Sequence, residues 1–122
     1  MSETGSHSTT LAAQGILDTW VNHPWSEGIQ IATLPDFSEL LVETRNSIYE
    51  ITLIDGLGRE ILIRGGKFFA ERTAARLCGS SLRGSFLKIG GIYAGFSMEI
   101  LCDGQTIVTS PVQSIRLYSR SS

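Results

Sequence analysis

Six basic side chains crowd one stretch of this sequence. They are Arg64, Lys67, Arg72, Arg76, Arg83 and Lys88, with Glu71 the single acid among them. Cations at that density could neutralise phosphates, and Phe68, Phe69, Phe86, Tyr93 and Phe96 supply faces on which bases could stack. Those are the ingredients of an anion or single-strand nucleic-acid site. The whole chain argues the other way. Twelve acids outnumber ten Lys and Arg for a net charge of −2, and the pI is about 5.6, whereas nucleic-acid-binding domains commonly exceed a pI of about 9. Aromatics are 8% of the residues, and the plainer expectation is that they fill a core. Nucleic acid is therefore the less favoured partner.

Other constellations are weaker. Gly65-Gly66-Lys67 has the residue types of a phosphate loop, but G-x-x-x-x-G-K-[ST] spacing is absent and Phe68 follows the lysine. A glycine corner ending a strand is the simpler reading. Arg45-Asn46-Ser47 precedes a strand, and Asn46, Tyr49 and Arg64 could meet at a barrel mouth and, with Arg45, hold a polar ligand. The plainer role of Asn and Ser there is a turn. No G-x-S-x-G occurs, and no acid–base pair has a recognisable spacing, so no catalytic residue is assigned. His7, His23, Cys78 and Cys102 are far apart without ligand spacing, so neither a metal nor another cofactor is expected.

The elements that must position these residues read as β. Thirteen glycines, ten of them between Gly56 and Gly104, are poorly suited to helices. Tyr49, Ile51 and Leu53 alternate with Glu50 and Thr52 over Ser47–Ile54. Asp55–Gly58 turns, and Arg59–Arg64 returns with Ile61 and Ile63 on one face and Glu60, Leu62 and Arg64 on the other. These two runs predict a hairpin. Lys67–Leu82 is ambiguous between helix and strand, and strand is preferred. Ile29–Leu34, Leu40–Thr44, Ser85–Ile89, Tyr93–Asp103, Gln105–Ser110 and Val112–Tyr118 complete the set, with Pro111 expected to interrupt the last two. Asp103-Gly104 is the strongest local signal, a type I′ hairpin turn. The expected fold is mainly β, a small antiparallel barrel or sandwich of seven or eight short strands in a meander. Ahead of it, Leu11, Ile16, Leu17, Trp20 and Val21 recur near helical spacing, predicting a short helix that ends at His23-Pro24.

At 122 residues one domain is expected, here residues 10–118 between short tails at 1–9 and 119–122. The N-terminal residues lack the basic and apolar regions of a signal peptide, which predicts a cytoplasmic protein. No apolar run is long enough to span a membrane. The two cysteines sit in apolar contexts and read as buried free thiols. Charge is unevenly spread: residues 1–44 carry six acids and no Lys or Arg, and residues 45–122 carry all ten basic residues. The two parts could complement each other within one chain or between copies.

Several strings resemble an uncharacterised family of small bacterial β-rich proteins. They are Thr44–Ile51, Gly65-Gly66 before Phe68-Phe69, Gly79-Ser80, and Thr109-Ser110-Pro111-Val112 with Ile115. The resemblance spans about residues 42–116 and implies a β-rich fold but no activity. Arg72-x-x-x-Arg76 with Ser81-x-x-Gly84 faintly resembles the cyclic-dinucleotide motif of PilZ barrels. Gly79 stands where that family has Asp or Asn, and the two elements are nearly contiguous here.

Three functions are thus in play. The first is a non-catalytic interaction module, a homo-oligomer or a binder of a protein partner, with Trp20 and Trp25 as an exposed surface unless they plug the barrel. The second is an anion or nucleic-acid binder working through residues 64–88. The third is a small-molecule enzyme with a barrel cavity.

Overall fold

The computed structural model describes residues 27–82 and 86–118. The predicted N-terminal helix, Trp20, Trp25, Arg83 and both predicted tails lie outside the described residues.

Alternation of apolar and polar residues dictates most of the strands. The elements are β1 (Gly28–Gln30), a 3-10 turn (Ile31–Thr33), β2 (Glu39–Thr44), β3 (Ile48–Asp55), β4 (Glu60–Gly65), β5 (Phe69–Leu82), β6 (Phe86–Ile89), β7 (Gly91–Tyr93), β8 (Ser97–Cys102) and β9 (Gln105–Tyr118). Six of them close a ring of antiparallel pairings, β2–β3–β4–β5–β8–β9 and back to β2. The fold is therefore a barrel with the expected meander. Strand β6 adds to β5, and β1 pairs with β7 in a separate two-stranded ribbon.

The inward side chains fill the barrel. Val42, Leu53, Ile63, Leu77, Met98 and Ile100 are fully buried, joined by Leu40, Tyr49, Ile51, Ile61, Phe69 and Val112. A six-stranded barrel is narrow enough for side chains to occupy its interior. Ile31 and Ile92, contributed by the 3-10 turn and the ribbon, belong to the same core.

Two strands of 14 residues do what short strands could not. Strand β5 pairs with β4 through Arg76, then with β6 from Gly79, and carries β8 along its other edge. Strand β9 pairs with β8 up to Pro111 and with β2 from Val112. Bulges mark both changes of partner, and a bulged strand bends, which lets a sheet curl closed. Gly79 sits at the bulge of β5 with φ 153°. A Cβ there would run into the carbonyl oxygen of Lys88. Gly65 has the same role at the end of β4, with φ 136° and the Ile48 carbonyl behind it.

Four expectations are corrected. Pro111 does not interrupt β9; it sits at the bend between partners, and its carbonyl accepts from Arg45 N–H at 2.9 Å. The stretch from Tyr93 to Asp103 is not one strand. Gly95, at φ 94°, breaks it, and Phe96 N–H closes a turn onto the Tyr93 carbonyl. Ile29–Leu34 extends only as far as Gln30 before curling into the 3-10 turn. The strands number nine rather than seven or eight among the described residues. The ambiguous segment 67–82 is strand because partners on both edges override the helix formers of Glu71–Cys78. The hairpin at Asp103-Gly104 has φ 52° and 77°, the positive pair its sequence demands.

Candidate interaction surface

The Arg45-Asn46-Ser47 turn, a candidate ligand contact, is held by hydrogen bonds within the chain. The Thr44 hydroxyl donates to the Ser47 carbonyl and accepts from Ser47 N–H, both at 3.1 Å. It also accepts from the Ser110 hydroxyl at 2.8 Å. Ser110 Oγ in turn accepts from Asn46 N–H at 3.0 Å. Thr109 Oγ1 donates to the Ser110 carbonyl and accepts from Met98 N–H. The Arg45-Asn46-Ser47 turn is thereby tied to Thr109-Ser110-Pro111, joining the β2–β3 turn to the bend in β9. Ser80 acts similarly in the interior: its hydroxyl donates to the Gly91 carbonyl at 2.9 Å and accepts from Tyr93 N–H at 3.0 Å. It anchors the ribbon to β5. Its neighbour Ser81 is equally buried, and its hydroxyl has no partner.

The expected convergence of Asn46, Tyr49 and Arg64 does not occur. Tyr49 points into the core, opposite Gly65. Arg64 lies one register step away, opposite Glu50, and so faces outward. It binds Glu50 at 2.8 Å with both side chains about half exposed. Arg45 and Asn46 stand on the exposed turn.

The basic segment is likewise dispersed. Arg64, Arg72 and Arg76 share the outer wall, by alternation with inward Ile63, Thr73, Ala75 and Leu77. Arg72 borders a shallow cleft with Glu39, Glu50 and Tyr118. Arg76 stands between Glu60 on β4 and Leu101 on β8. Lys67 sits on the β4–β5 turn with its ammonium 5.9 Å from the ring centre of Phe68, and Lys88 on β6 lies 5.9 Å from that of Tyr93. Of the aromatics near these cations, Phe69, Tyr93 and Phe96 are buried, and Phe68 is largely exposed. The ammonium–ring distances are within the range of cation–π attraction, but no shared stacking platform is formed.

Neither cysteine is fully buried, contrary to expectation; both are half-buried free thiols. Cys102 Sγ reaches the Ala74 carbonyl at 3.7 Å. Among the described residues no three His, Cys, Asp or Glu cluster as metal ligands would, and no helix is long and apolar enough to cross a membrane.

One concavity among the described residues lies on the outer wall of the barrel. It measures about 600 Å³ and runs across β3, β4, β5 and β8. Ile54, Leu62 and Leu101 line it around the small side chain of Ala74, with Glu60, Arg76 and Asp103 at the rim. Outward strand positions facing water are ordinarily polar. Val108, on the outer face of β9 opposite Glu99, is 47% exposed. Of these residues the sequence had singled out Arg76 but none of the apolar ones, although one signal was present: Leu62 falls between Glu60 and Arg64 on the polar face of an otherwise alternating strand. No protein-family model matches the chain, and neither a curated protein nor a solved structure matches it.

Proposed function

We propose that this chain is a non-catalytic interaction module whose working surface is the outer wall of β4, β5 and β8, and whose partner is a second copy of itself. The observation that carries this reading is the apolar depression at Ile54, Leu62, Ala74 and Leu101, on a barrel face that alternation assigns to water. An apolar centre with a charged rim is the usual anatomy of a protein–protein contact. The rim also favours self-association. Arg76 and the acids Glu60 and Asp103 border one concavity, so a two-fold axis through it would bring the arginine of each copy towards the acids of the other. An anion-binding role would need the basic side chains of residues 64–88 to act together, and the described ones stand at three separate places: the outer wall, the β4–β5 turn and β6.

Sedimentation velocity and native mass spectrometry over a concentration series test the reading. A dimer is expected, dissociated by Leu62→Asp or Arg76→Glu without loss of the β-type circular dichroism. Arg76→Glu mixed with the double variant Glu60→Arg/Asp103→Arg should recover a mixed dimer. A chain that stays monomeric throughout the series would overturn self-association.

A further inference from the structure

One core-facing strip of the barrel is only partly covered, at its Leu117 end. Leu40 stands opposite Leu117, and Val42 opposite Ile115, so each pair shares one side of the β2–β9 sheet. Leu40 and Val42 are 1% and 0% exposed, whereas Leu117 is 52% exposed. Ile115 is only partly buried. Between this strip and the β1–β7 ribbon runs a groove of about 350 Å³. Gly28, Ile29 and Ala94 wall it on one side, and Leu40, Ile115 and Leu117 on the other.

The chain itself enters at the rim of this groove. Glu27 lines it, and the Glu27 carbonyl accepts from Ala94 N–H at 2.8 Å, which pins the entry point. The sequence has 26 residues ahead of Glu27, including the apolar series Leu11, Ile16, Leu17, Trp20 and Val21. Trp25 is two residues upstream, a span of at most about 7 Å of extended chain. A segment tethered at the edge of a groove is present there at an effective concentration on the order of millimolar. A free partner has no such advantage.

We propose that this groove is the docking site of the chain's own residues 10–26, with the indole of Trp25 seated against Leu117 and Ile115 and the apolar side of the preceding segment completing the cover. The proposal concerns a different face from the outer wall of β4–β5–β8, so it can fail while self-association stands, and the reverse.

Trp20 and Trp25 are the only tryptophans, so their fluorescence reports on this segment alone. In the full-length Trp20→Phe variant, Trp25 emission is expected to be blue-shifted relative to free tryptophan and protected from acrylamide, independently of protein concentration. Adding Leu117→Asp should shift the emission to the red and raise quenching severalfold while far-ultraviolet circular dichroism stays unchanged. If Leu117→Asp does not fold, Leu117→Ser in the same measurement keeps the test intact. Emission at the solvent-exposed wavelength before any groove substitution would overturn the proposal. So would emission indifferent to Leu117 substitution. Protection that disappears on dilution would assign the groove to a second copy and overturn docking within one chain.

Discussion

The two ends of the β2–β9 pair are built on different physics. At the Thr44–Val112 end the closure is polar. The Thr44 hydroxyl, buried to 2% exposure, serves three partners, and the Arg45 and Asn46 amides reach β9. At the Leu40–Leu117 end the closure is apolar and unfinished, with one member of the pair sealed and the other half open. Hydrogen bonds are directional, so a few of them fix a turn completely. Apolar burial is non-directional and needs enough surface to cover it. The first end is therefore fixed by a few bonds between the β2–β3 turn and the bend of β9, whereas the second leaves Leu117 half exposed.

Substitutions can break or sharpen this contrast. The largest effect is expected at the apolar end. Leu40→Ala should cost about 3 kcal/mol, as fully buried leucines do, and Leu117→Ala only about 1 kcal/mol or less. Chemical denaturation of both would read the difference. Equal costs would mean that the strip is as well packed as the core. Next comes the ribbon that walls the groove. Ser80→Ala removes partners from the buried Gly91 carbonyl and Tyr93 amide, at a cost of about 2 kcal/mol. Ser81→Ala removes a hydroxyl with no partner and should be neutral or stabilising. Thermal melts of this pair test whether satisfaction, rather than burial, decides the sign. At the polar end, Thr44→Ala should cost about 1–2 kcal/mol, with Thr44→Ser recovering most of it. Asn46→Ala should stay within about 0.5 kcal/mol, because the backbone amide of Asn46, not its side chain, makes the bond. A large loss at Asn46 would show that its side chain also holds the turn.

The legible and illegible parts divide along the same line. The alternation of Tyr49, Ile51 and Leu53, the return through Ile61 and Ile63, and the Asp103-Gly104 turn were all readable, because period-2 patterning and positive-φ turns are properties of neighbouring residues. Leu62 on the polar face was readable too, but not that Ala74 and Leu101 would join it. They are 12 and 39 residues away, and only pairing of β5 with both β4 and β8 brings the three together. The Arg45-Asn46-Ser47 string was open to a ligand reading for a related reason. Nothing local reveals that the Arg45 and Asn46 amides already bond to Pro111 and Ser110, far along the chain.

The sequence by itself determined that this chain is β, where most of its strands alternate, and which turns reverse it. Those outcomes rest on sterics and patterning within a few residues. The tertiary structure alone decided that the sheet closes into a ring, that β5 and β9 bend at Gly79 and Pro111 to change partners, and that the basic residues face different directions. Closure depends on register between strands far apart in the chain. A slip of one residue between β3 and β4 would set Arg64 opposite Tyr49, on the core face, and long-range pairing sets that choice.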